Sequence, residues 1–150
     1  MEFSGLVKAR SSSQCVNVGP PGEAEVMRLN PRRVEKMKLS MGWGELAEGS
    51  LNLMVSEKFV HELLLCEPVF KENGSEVIYP SEFQHIPQLR VGYLYYSGIA
   101  KASNGKSCQV LVRRACNALN DRVELFSNMV LREHLYLEDN DRLSVEIVRT

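Results

Sequence analysis

A chain of 150 residues, 44% hydrophobic and 25% charged, has room for one folded domain, spanning 1–150, with a core of useful size. A net charge of −1 gives no basic excess to drive binding to a phosphate backbone, so nucleic acid is not an expected partner. No apolar run is long enough to span a membrane, and Met1–Leu6 lacks the charged and apolar regions of an export signal, so the expected location is the cytoplasm.

The cysteines Cys15, Cys66, Cys108 and Cys116 form no C-x-x-C pair, which leaves zinc and redox motifs unsupported and suggests reduced thiols. Cys66, after Leu63-Leu64-Leu65, is expected to be buried. His61, His85 and His134 have no ligand spacing.

In chain order, Phe3 to Ala9 alternates as a first strand, with Gly5 marking a bend or a close backbone approach. Residues 10–18, with three consecutive serines, predict a flexible loop, and Gly19-Pro20-Pro21-Gly22 predicts a turn. Glu23 to Leu29 is compatible with a second strand. Asn30-Pro31 starts a helix, Asn as cap and Pro at the first position, which runs to about Leu39 and ends at Gly42. Glu48 to Val55 predicts the next strand. Leu51, Leu53 and Val55 share one face, while Ser50 and Asn52 share the other. That polar face fits either ordinary half-exposed residues or neutral oxygen ligands for a hard cation.

Ser56 is expected to cap a helix through Leu65 with Phe59, Leu63 and Leu64 on one side. Asn73-Gly74 predicts a hairpin between Val69-Phe70 and Val77-Ile78-Tyr79, and Pro80 to Gln88 a loop. Leu89 to Ala102 and Cys108 to Val112 read as two strands joined at Asn104-Gly105. Val123 to Phe126 is a further strand, in which Glu124 is expected to be exposed. Ser127 is a candidate cap for a short helix from Met129 to Leu135, whose start either faces solvent or presents backbone N–H groups to a ligand. Arg142 to Val148 is the last strand. The sum is a mainly β protein with short helices, arranged as a partly closed antiparallel barrel, because closure removes sheet edges.

Elimination removes the common catalytic constellations: there is no G-x-S-x-G elbow, no H-E-x-x-H and no G-x-x-x-x-G-K-[ST] loop. No catalytic residue is singled out. Yet Gly22-Glu23-Ala24, Gly49-Ser50-Leu51-Asn52, Val123-Glu124-Leu125-Phe126 and Leu131-Arg132-Glu133-His134-Leu135 with Leu137–Asp141 occur in an order that resembles the CTP-dependent riboflavin kinases. These are mostly archaeal and have a cradle-loop barrel. The resemblance covers nearly the whole chain.

It implies transfer of the γ-phosphoryl group of CTP to the 5′-hydroxyl of riboflavin, giving FMN, with Mg2+ held by Ser50 and Asn52. It implies nucleotide contacts from Pro21, Gly22, Glu23, Ala24, Glu25 and Val26, and from Met129, Val130, Leu131 and Arg132. It implies flavin contacts at Cys116 and Glu124. Ala24, Cys116 and Ala118 stand where the family carries glycine, threonine and commonly histidine, and Asn140 replaces a turn glycine. The alternatives are a diverged, non-catalytic barrel that binds a nucleotide, flavin or other small ligand, and an interaction or regulatory barrel.

Overall fold

The computed structural model describes residues 1–8, 22–81, 92–116 and 121–148. Pro21, Ala118, Cys15, His85 and nearly all of the two predicted loops lie outside the described residues. The described strands are β1 (Glu2–Val7), β2 (Leu51–Met54), β3 (Phe70–Glu72), β4 (Tyr93–Ala102), β5 (Ser107–Ala115), β6 (Arg122–Phe126) and β7 (Arg142–Ile147). The described helices are α1 (Glu23–Leu29), α2 (Pro31–Met41), α3 (Glu57–Glu62) and α4 (Leu131–His134).

Six strands close a barrel in the order β4-β5-β6-β2-β1-β7, and β7 pairs back onto β4. Every pairing is antiparallel. The seventh strand, β3, lies outside the closure. It occupies the N-terminal end of the same β4 edge, opposite Tyr93–Tyr95, that β7 occupies further along, opposite Gly98–Ala102. The mainly β antiparallel barrel is as expected, but its closure is complete rather than partial, because β7 pairs with β4.

Alternation sends one set of side chains inward. Phe3, Val7, Leu51, Leu53, Tyr96, Val110, Val112, Val123, Leu125, Leu143 and Val145 form a single buried cluster. Gly5 is part of that geometry: a Cβ there would sit 2.4 Å from the Met54 carbonyl oxygen, so the close approach expected from sequence is real.

A second apolar layer lies outside the barrel. Met27 of α1 and Met37 of α2, with Trp43, cover Tyr95, Leu111 and Phe126. This is why Val110 to Arg114 in β5 is buried on both faces.

Several local expectations are corrected. Glu23–Leu29 is helix α1, not a strand. Glu23, Val26, Met27 and Asn30 recur at helical spacing on its inner side, and Glu and Ala favour the helix. Asn30 precedes α2, but its side chain does not cap it. It donates to the Val26 and Ile78 carbonyls, both at 2.7 Å, and accepts from the Ile78 N–H, tying the helix pair to residue 78. The α2 terminus is as expected, with Gly42 left-handed at φ 69.

Ser56 does cap α3, accepting from Lys58 N, but Leu64 is exposed and Cys66 only partly buried, because the helix tightens into a 3-10 turn at Leu63–Leu65. Residues 69–79 form no hairpin. The Asn73 side chain caps a second 3-10 turn, and Val77 and Tyr79 pack on Val26. α4 is a single turn whose cap position is Val130, while Ser127 accepts from Met129 N and donates to the Gln109 carbonyl. Asn140 takes the left-handed φ of 70 that its side chain tolerates.

Candidate functional site

Where α1, β2 and α4 meet the end of β1, a cleft of about 360 Å³ opens. Four stretches of chain line it: Lys8, Gly22–Ala24, Ala47–Asn52, and Leu125 to Arg132. Backbone contacts hold them together. Lys8 N donates to the Asn52 carbonyl at 3.0 Å, and Ala47 N donates to the Ser127 carbonyl at 2.9 Å. Arg132 Nη2 donates to the Lys8 carbonyl at 2.7 Å and also pairs with Asp139.

The cleft gathers Gly22, Glu23, Ala24, Ser50, Asn52, Met129, Val130, Leu131 and Arg132. Glu25 points to solvent and Val26 is buried beneath α1, so neither lines it. The segment that resembles a glycine-rich loop is here the first turn of a helix. Ala24 therefore sits in right-handed helical backbone, which alanine favours. α4 is a four-residue turn, too short for a developed helix dipole.

Ser50 just precedes β2, and Asn52 lies within it. Neither the Ser50 hydroxyl nor the Asn52 carboxamide is consumed by a side-chain hydrogen bond among the described residues. Two neutral oxygens would supply only part of the oxygen shell of a hard cation such as Mg2+, and waters and phosphate oxygens would have to complete it. Among the described residues no cluster of three His, Cys, Asp or Glu side chains could hold a metal unaided.

Cys116 and Glu124 do not line the cleft. Cys116 is an exposed free thiol just beyond β5, its backbone N–H bonded to the Gly92 carbonyl at 2.7 Å. Glu124 stands directly across from Asn52, but its carboxylate is engaged by Arg113. It is half-buried and paired rather than exposed.

The pairing register makes a continuous row on the outer barrel face: Asn52, Glu124, Arg113, Tyr95 and Phe70. Arg113 is the centre of an ion network that the sequence reading did not single out. Its Nη1 and Nη2 each reach Glu23 at 2.9 Å. Glu23 also accepts from Arg33, which forms a bidentate pair with Glu72 at 2.7 Å. The Tyr95 hydroxyl donates to Glu72, and the Arg113 guanidinium lies over the rings of Tyr93 and Phe126.

Burial alone would lower both arginines, but the carboxylates outweigh it and hold both firmly charged. The available signal was Arg113-Arg114 following Val110-Leu111-Val112, since a charge on a strand buried on both faces needs a partner.

Arg114, the next residue, points into the barrel. Among the described residues it has no carboxylate partner: Nε donates to the Val60 carbonyl at 2.7 Å, and Nη1 is buried without a hydrogen bond. Burial lowers its pKa. The neighbouring Tyr96 hydroxyl is likewise buried without a partner among the described residues.

No protein-family model matches the chain, and no curated protein matches it in sequence. No helix among the described residues is long and apolar enough to cross a membrane.

Proposed function

We propose that the chain is a phosphotransferase of the CTP-dependent riboflavin kinase type, moving the γ-phosphoryl group of CTP to the 5′-hydroxyl of riboflavin. One observation carries this reading. Three segments far apart in sequence, which the resemblance assigns to nucleotide and metal, line one cleft: Gly22–Ala24, Ser50 with Asn52, and Met129–Arg132.

Ser50 and Asn52 are the residues that would hold Mg2+, whose chemistry is to neutralise charge on the phosphates and keep them in line. The chain's own part is positioning. Arg132, fixed by its bonds to the Lys8 carbonyl and Asp139, offers a charge-assisted donor to a phosphate. Glu23 lies on the cleft wall, where Arg113 and Arg33 both bind its carboxylate and offset its charge.

A second reading, a barrel that binds a nucleotide without catalysis, is favoured by the other half of the site. Glu124 is committed to Arg113, and Cys116 lies outside the cleft. Incubation with riboflavin, Mg2+ and either CTP or ATP, followed by chromatography for FMN, separates the two. FMN formation supports the kinase. Absence of FMN with every nucleotide, together with saturable CTP binding, sinks the kinase reading and leaves the binding one.

A further inference from the structure

Four charged residues line the cleft: Lys8, Glu23, Glu48 and Arg132. Three already have partners. Glu23 is held by Arg33 and Arg113, Glu48 by Arg28 at 3.1 Å, and Arg132 by Asp139 at 2.7 Å. Lys8 has none: among the described residues its ammonium makes no ion pair and no hydrogen bond. Lys8 is therefore the charged side chain lining the cleft that has no counter-charge bound to it among the described residues.

The position of Lys8 is also well fixed. It follows β1, whose inner side is anchored by buried Val7. Its N–H is bound to the Asn52 carbonyl, one residue of the candidate metal pair, and its carbonyl is bound by Arg132. The backbone of Lys8 thus sits between the candidate cation ligand and the second cationic side chain of the cleft. A lysine is a compact charge on a flexible stem, suited to following a phosphate tail rather than reading a base edge.

We infer that Lys8 is a positioning residue for a polyphosphate group, acting with Arg132 as a two-cation clamp that makes the cleft prefer a nucleoside triphosphate to the nucleoside. This rests on the polyphosphate part of the proposed function and assigns that specificity to a residue outside the segments that carry the resemblance.

The test is calorimetric titration of the full chain, and of its Lys8→Gln and Lys8→Arg variants, with CTP, cytidine and sodium tripolyphosphate in Mg2+ buffer. The expected result is a loss of about tenfold or more in CTP and tripolyphosphate affinity for Lys8→Gln, as for one charge-assisted contact. Cytidine binding should not change, and Lys8→Arg should keep most of the affinity. Melting temperatures should match, because the fixed contacts of Lys8 are made by its backbone.

Equal CTP affinity in the native chain and Lys8→Gln, or an equal loss for cytidine, overturns the clamp and leaves the nucleotide reading standing. A Lys8-dependent affinity for tripolyphosphate with no gain from the cytidine moiety keeps the clamp and overturns the CTP reading. Binding of none of the three by the native chain overturns both.

Discussion

Arg113 and Glu23, 90 positions apart, meet in two parallel bonds of 2.9 Å: Nη1 to Oε1 and Nη2 to Oε2. The side chains are only 3% and 14% exposed, and the pair fastens the first residue of α1 to the outer wall of the barrel. Because Glu23 also lines the cleft, the same bond sets the cleft wall and neutralises it.

Removing the cation should therefore be costly. Arg113→Leu leaves Glu124 without its cation and Glu23 with Arg33 alone, and should lower stability by about 3–5 kcal/mol, as for breaking one side of a buried pair. Urea unfolding at neutral pH measures it. The double change Arg113→Leu with Glu124→Leu should recover part of the loss, since the stranded carboxylate disappears with the cation. A loss for Arg113→Leu below about 1 kcal/mol would place the pair with solvent-compensated surface bridges and remove its role as anchor.

Tyr96 offers a pH test with a defined sign. Burial pushes its phenol up to about 12, with Arg114 pulling the other way. The unfolded phenol ionises near pH 10. The folded pKa is thus the higher one. The stabilising contribution is complete below about pH 10 and is lost as pH rises toward about 12, by roughly 3 kcal/mol at about 1.4 kcal/mol per unit. Buried Tyr95 is shifted upward too, chiefly by burial, and adds to the same alkaline limb.

Tyr96→Phe cannot ionise there and also removes a buried hydroxyl with no partner among the described residues. It should gain up to about 1 kcal/mol at pH 7 and show a flatter loss between pH 10 and 12. A clear drop in melting temperature at pH 7 would mean that the hydroxyl has a partner after all.

Gly5 tests the closeness of β1 to β2. A Cβ would meet the Met54 carbonyl oxygen at 2.4 Å and Leu53 Cγ at 2.8 Å, and a backbone oxygen in a paired strand cannot move aside. Gly5→Ala should cost about 1–3 kcal/mol. In a chain of this size that is a melting-temperature drop of roughly 3–10 °C. Gly22→Ala, where nothing lies within 4 Å of the added carbon, is the matched control and should leave the barrel stable. Equal melting of Gly5→Ala and the native chain would show that the two strands can separate there.

These relationships also show what was readable in the sequence. β7 was legible because Leu143, Val145 and Ile147 face the barrel interior while Glu146 and Ser144 do not. α2 was legible because Pro31 and Gly42 mark its ends by backbone chemistry alone. α1 was not, because half of its inner face is polar. Glu23 and Asn30 are inward only because Arg113 and the backbone of residue 78 wait there, and no local pattern announces partners so distant.

The same holds for the end of β5. The predicted strand stopped at Val112 because two arginines follow, and their burial depends on Glu23, Glu124 and Val60. The site divides along this line. The alternation at Ser50 and Asn52 is local and could be read, whereas the network that neutralises the cleft wall is assembled by tertiary contacts.

Asn52 allows the metal half of the site to be separated from the fold. Its carboxamide has no hydrogen-bond partner among the described residues, and its backbone supports the sheet whatever the side chain. Asn52→Ala should therefore melt like the native chain in metal-free buffer. The difference should appear with ligand. CTP with Mg2+ should raise the native melting temperature, since a ligand that binds only the folded state stabilises it by mass action. CTP with a chelator should do so far less. In Asn52→Ala the two curves should coincide, because the metal-dependent increment needs a carboxamide oxygen that alanine lacks. If Asn52→Ala keeps the full Mg2+-dependent increment, Asn52 is no ligand. If it melts several degrees lower without metal, its role is to stabilise the sheet.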